Sequence, residues 1–240
     1  MHPRKAQWLY TYRIASGHCH HRNLSRVVTA GSGTGQGDKL VPSGGLNSLV
    51  QNPNDPQARE GGRLSQWVLG SMKVSPTWTN QVLIQKGLLW PYVKALGVYK
   101  CPADPKTDRW PARDGVPTLR SVAMNCWLNP IVPYPGGRVM RKMSDITKPR
   151  PSRCWVLLDQ CPWCIDDGWF VCRPSVTYWV DCPAPYHNGG PIGTICFADG
   201  HAEFIRYTDR NMIASQTINV PADPKSADLA WLQERSTVSQ

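Results

Sequence analysis

The sequence predicts an α+β domain built on an antiparallel β-sheet with short helices. Three observations carry the prediction. The chain of 240 residues holds 22 Pro and 20 Gly, too many helix breakers for a bundle and a composition suited to short strands and turns. It also holds 11 Trp, enough aromatic bulk to build a core. The segment Thr194–Tyr207 reads as two strands around Asp199-Gly200.

The elements follow in order. Residues 1–37 carry five basic residues and no acidic one, then a Gly/Ser/Thr run from Ala30 to Gly37, and read as disordered. Turn signals at Pro42-Ser43-Gly44-Gly45 and Asn52-Pro53-Asn54-Asp55-Pro56 continue the loop, and a folded domain is expected over 38–240. A helix is predicted over Leu89–Leu96, with Pro91 in its first turn and Gly97 as a left-handed C-terminal cap. Cys154–Asp159 is apolar on both faces, which predicts a central strand. Trp169–Cys172 and Thr177–Val180 are further strand candidates.

Asp-Gly between strand-like runs calls for a two-residue type I′ turn. That loop pairs Ala198 with His201, Phe197 with Ala202, Cys196 with Glu203 and Ile195 with Phe204. Ile195, Phe197, Ala202 and Phe204 would then share the core face, leaving Cys196, His201 and Glu203 on the other.

The net charge of +10 raises nucleic acid as a partner, but half of the excess lies in residues 1–37. The other basic residues are scattered, so no nucleic-acid partner is predicted. No apolar run approaches the ~20 residues that span a bilayer, and no export signal precedes the basic, His-rich start. Of nine cysteines, Cys161 and Cys164 form a Cys-x-x-Cys after the central strand, which could be a disulfide. Ile165-Asp166-Asp167-Gly168 then supplies a turn instead of the helix that activates a redox thiol. Zinc would need a second pair, for which Cys172 and Cys182 are available. Asp159, His187, Asp199 and His201 form a second group, able to hold a divalent ion or to do acid–base work. The structural alternative is local, with Asp199 as a turn residue and Asp159 accepting loop amides. No hydrolase elbow, phosphate loop or paired catalytic Glu is present, and no catalytic residue is assigned.

Tyr186-His187-Asn188-Gly189-Gly190 and Phe197-Ala198-Asp199-Gly200-His201-Ala202-Glu203 look like the C-terminal His…Asp-Gly signature of the prepilin-type, processing-associated family of pseudopilin-like proteins. Gly87–Val93, Tyr99–Asp104, Arg120–Asn125, Leu158-Asp159-Gln160 and Asp228–Arg235 follow the family's order as well. Eleven residues separate His187 from Asp199, a longer spacing than usual in the family.

The resemblance implies the globular domain of a pseudopilin and a structural role in a type II secretion or type IV pilus-like apparatus. Its partners would be other pilin-like subunits, and its location the inner membrane and periplasm. It also implies calcium as a candidate cofactor, with Asp159 and Asp199 as ligands. The family's leader and long apolar helix are not seen here, so membrane contact would depend on that missing helix. Residues 1–37 would then derive from a shifted reading frame or a wrong start. Two other functions compete: an extracytoplasmic binding module, with Trp163 and Trp179 stacking on carbohydrate, and a metal-dependent enzyme.

Overall fold

The computed structural model describes residues 38–45, 50–104 and 117–240; the expectation for residues 1–37 lies outside them. Five strands make one sheet: β1 (Val122–Asn125), β2 (Trp155–Asp159), β3 (Trp169–Phe170), β5 (Ile192–Phe197) and β6 (Ala202–Arg206). Their spatial order is β3-β1-β2-β5-β6. A separate ribbon pairs β4 (Tyr178–Trp179) with β7 (Val220–Pro221). Among the described residues, four short α-helices, α1 (Gln81–Gln85), α2 (Trp90–Val93), α3 (Arg210–Ala214) and α4 (Asp228–Ser236), complete an α+β fold.

The apolar Cys154–Asp159 run becomes β2, buried throughout and flanked by β1 and β5. All the main-sheet pairings are antiparallel except β1 with β3, which is parallel, so the sheet is mixed where an antiparallel one was expected. The parallel pair follows from a buried cation. Arg120 is fully buried and donates to the carbonyls of Val122 (2.7 Å), Asp166 (3.0 Å) and Asp167 (2.6 Å). Its anchoring of the 166–168 turn beside the start of β1 launches β3 alongside β1 in the same direction.

Both sheet faces are covered. On one, Val122, Met124, Leu157, Cys196 and Ala198 pack against Leu40, Trp67, Leu89, Tyr99 and Trp127. On the other, Ala123, Trp155, Leu158, Ile195 and Phe197 meet Met212 of α3 with Leu229 and Leu232 of α4. The three-residue spacing of Leu229 and Leu232 sets both on the inner face of α4, each contributing about 1.5–3 kcal/mol by burial. Asn125 clamps these parts together: its amide donates to Trp155 O (2.9 Å) and Ser236 O (3.0 Å), and its Oδ1 accepts from Trp127 N (3.1 Å).

The predicted helix is shorter than Leu89–Leu96. α2 ends after Val93 because Lys94, not Gly97, takes the left-handed conformation (φ 50°), and a 3-10 turn follows at Leu96–Val98. The early stop turns Tyr99 inward, where its ring stacks on Trp67 at 6.1 Å and 15°.

Residues 192–206 form the expected antiparallel hairpin, but its register differs by one residue. Cys196 pairs with Ala202, Ile195 with Glu203 and Thr194 with Phe204. The loop is three residues long: Gly200 N donates to Phe197 O (2.9 Å), Phe197 N to His201 O (2.9 Å), and Gly200 alone among loop residues takes positive φ, at 91°. A type I′ turn would force Asp199 into the left-handed region too, whereas a type I turn followed by one left-handed glycine confines that strain to the residue without a Cβ. The shift removes Ala202 and Phe204 from the face of Ile195 and Phe197. Phe204 is 43% exposed on the opposite face.

Candidate functional site

The four-residue group Asp159, His187, Asp199 and His201 separates into two pairs at opposite ends of β2. Ala198 N donates to Cys154 O (2.8 Å), so the hairpin tip lies beside the start of β2, while Asp159 is its last residue. Four residue rises of about 3.3 Å put the two carboxylates roughly 13 Å apart along the strand. A calcium site shared by Asp159 and Asp199 is therefore not formed.

At the tip, Asp199 Oδ1 accepts from His201 N (3.1 Å) and meets His201 Nδ1 at 2.5 Å, and the His201 ring stacks on Phe197 at 4.3 Å. Burial pushes the Asp199 carboxyl up, and the hydrogen bonds and charge of His201 together more than offset it, leaving the group below its ordinary range. Both side chains are about two-fifths exposed (39% and 42%), and the pair closes the turn.

The other pair is buried and has a third member. Asp159 Oδ2 lies 3.1 Å from His187 Nε2, and Cys101 Sγ lies 3.7 Å from the same nitrogen. Cys101 and Asp159 are each 1% exposed and His187 2%. Their positions follow from local structure. Asp159 ends the central strand opposite Val122. Residues 182–184 run beside it, through Cys161 N to Cys182 O (3.0 Å) and Ala184 N to Asp159 O (2.8 Å), and deliver the 3-10 turn His187–Gly189. Cys101 N donates to Ser121 Oγ (2.7 Å), which in turn donates to Asp159 Oδ1 (3.3 Å). Thr194 of β5 donates its hydroxyl to Asp159 Oδ2. Phe204, moved here by the observed register, sets its ring edge-on to His187 at 6.1 Å.

Burial disfavours a charged His187 ring, but the hydrogen bonds to Asp159 and Cys101 outweigh it and lift the imidazole to about 9. The cluster does not have the geometry of a cysteine nucleophile. In a working triad the nucleophile meets one ring nitrogen and the carboxylate the other, whereas here both meet Nε2, and the thiol is closed to solvent. One thiol, one imidazole and one carboxylate, all within 4.8 Å of one another, could hold a metal ion.

Cys101 is the member that sequence reasoning missed. It lies 86 residues from His187 in a loop without periodicity, and only the Tyr99–Asp104 resemblance singled its segment out.

Cys161 and Cys164 are free thiols, not a disulfide. Cys161 Sγ donates to Pro183 O (2.9 Å), and Cys164 Sγ to Cys182 O (3.2 Å) while accepting from Cys182 N (3.3 Å). Cys182 thus joins the Cys-x-x-Cys, but Cys172 completes no four-cysteine site: among the described residues the cluster of potential metal donors is Cys101, Asp159 and His187. Trp179 is 1% exposed and bonds Asp209 (2.8 Å), so its ring offers no face to a sugar; Trp163 is half-buried.

Among the described residues no helix is long and apolar enough to cross a membrane. No family model, curated protein or solved structure matches the chain.

Proposed function

We propose that this chain is a structural subunit of a type II secretion pseudopilus or type IV pilus-like apparatus, with no catalytic step assigned to it. One observation supports the reading above the others. Four of the segments on which the family resemblance rests, contributing Cys101, Ser121, Asp159 and His187, are linked in one buried chain of contacts of 2.7, 3.3 and 3.1 Å. A feature that joins distant segments out of reach of solvent serves to hold shape. Such residues would be shared among relatives for what they do to the scaffold, not for turnover.

In this reading the folded domain contributes surface contacts to a fibre, on the outer side of the inner membrane, and other pilin-like subunits are its partners. A metal at the buried cluster would serve the same end by cross-linking three segments. The sulfur, nitrogen and oxygen donors there differ from the all-oxygen shell that calcium takes.

The test is photocrosslinking of the full chain in its source cells, followed by mass spectrometry of the adducts. Adducts with subunits that carry an apolar N-terminal helix, recovered with the inner membrane, are expected. Recovery solely as an unassembled monomer would overturn the proposal.

A further inference from the structure

We propose that Cys101, Asp159 and His187 form a Zn²⁺ site that fastens the 99–104 loop and the 186–190 loop to the end of the central strand. The inference stands apart from the fibre reading and holds whether or not the chain assembles.

The first argument is geometric. A tetrahedral zinc ion lies about 2.3 Å from sulfur and about 2.0–2.1 Å from nitrogen and oxygen. Tetrahedral angles then put sulfur and nitrogen about 3.6 Å apart, and nitrogen and oxygen about 3.3 Å apart. The observed separations are 3.7 Å for Cys101 Sγ to His187 Nε2 and 3.1 Å for His187 Nε2 to Asp159 Oδ2. Two of the three edges between the donor atoms thus match such a tetrahedron, and the third, from sulfur to the carboxylate, is no longer than 4.8 Å.

The second argument is chemical. A neutral imidazole nitrogen is either a donor or an acceptor, and a protonated one is a single donor. Nε2 can therefore make one well-aligned hydrogen bond, to the carboxylate or to the sulfur. A cation at the common point engages all three groups at once. A thiolate beside an imidazole and a single carboxylate suits zinc, and falls short of the six to eight oxygens of calcium or the octahedral oxygens of magnesium.

The third argument is the surrounding shell. Metal-bound carboxylates are held by further hydrogen bonds, and Asp159 receives Ser121 Oγ on Oδ1 and the Thr194 hydroxyl on Oδ2. Cys101 Sγ accepts from Ala103 N at 3.4 Å, the kind of contact that stabilises a thiolate. Three protein donors leave one position for a water. The Tyr186 ring packs 5.2 Å from that of His187. On binding, the Cys101 thiol and the protonated His187 Nε2 each give a proton to solvent, and the freed sulfur and nitrogen form the metal bonds.

The experiment uses the full chain expressed with zinc and passed through a desalting column. Elemental analysis is expected to return one zinc per chain. X-ray absorption at the zinc edge, on the unmodified protein, is expected to show one sulfur and three lighter donors. Replacement by Co²⁺ should give tetrahedral visible bands with a single-thiolate charge-transfer band. Cys101→Ser should weaken zinc affinity by more than about 100-fold, since losing only an outer-shell partner already costs roughly 10–100-fold. Asp199→Asn, at the distant tip, should keep the full zinc content. A chain without zinc, or zinc bound by two or more sulfurs as at Cys161, Cys164 and Cys182, would overturn the proposal, and both results are read on the unmodified protein.

Discussion

Replacing Asn125 by alanine tests the reasoning behind the fold most directly. Its side chain is fully buried, joins β1 to β2 and to the last turn of α4 through hydrogen bonds of 2.9 and 3.0 Å, and accepts a third from Trp127 N at 3.1 Å. Alanine strands the Trp127 amide, a buried donor whose desolvation costs about 1–3 kcal/mol. It also removes the partners of the Trp155 and Ser236 carbonyls, at about 1 kcal/mol each. The expected loss is roughly 3–5 kcal/mol, a large share of the about 5–15 kcal/mol that holds a domain together. For a domain of this size that lowers the melting midpoint by roughly 6–20 °C. Urea denaturation followed by tryptophan fluorescence measures the loss. Asn125→Asp separates hydrogen bonding from volume, because it keeps the size but turns a donor toward two carbonyls into an acceptor. It should cost at least as much. A loss below about 1 kcal/mol for Asn125→Ala, or a neutral Asn125→Asp, would refute the clamp.

Three further outcomes are expected. Asp209→Ala should cost roughly 3–5 kcal/mol in the same assay, because Asp209 caps α3 at Met212 N (2.9 Å) and satisfies Trp179 Nε1 (2.8 Å) and Asp223 N (3.1 Å); a loss near that of an exposed cap, about 1 kcal/mol, would contradict this. Gly200→Ala should cost about 1–2 kcal/mol, with Gly200→Asn recovering part of it, because the loop needs positive φ there and asparagine tolerates it; equal melting points for glycine and alanine would disprove the three-residue turn. Burial and the neighbouring Asp166 charge raise the Asp167 carboxyl to about 7, against about 3.9 in an unfolded chain, so between those values the folded state binds more protons. The contribution of Asp167 is therefore full at acid pH and lost as pH rises through 7. The stability of the native chain relative to Asp167→Asn, from urea midpoints, should fall between pH 5 and pH 8, and a flat or rising difference would be inconsistent with it.

What could be read without coordinates depended on range. Cys154–Asp159 announces a central strand because six consecutive residues carry the signal, and Asp199-Gly200 announces a hairpin because the turn and both strands are contiguous. The hairpin's register was less legible. Type I′ and three-residue turns both welcome Asp-Gly, and one residue of slip exchanges the faces of Ala202, Glu203 and Phe204. The end of α2 was misjudged for a related reason: Gly97 is the better local cap, but the stacking of Tyr99 on Trp67 requires the chain to turn at Lys94.

The sequence by itself determined the α+β class, the central strand and the hairpin, all of which are written in composition or in runs of adjacent residues. Only the tertiary structure decided that Asp159 belongs with Cys101 and His187 and not with Asp199. Strand length forces that division. The two aspartates stand at opposite ends of β2, while the 182–184 segment and the Ser121 hydroxyl draw two remote loops to one of those ends. Contacts between residues 86 positions apart leave no period in a sequence, because they are made by the packing of elements whose patterns are each satisfied locally.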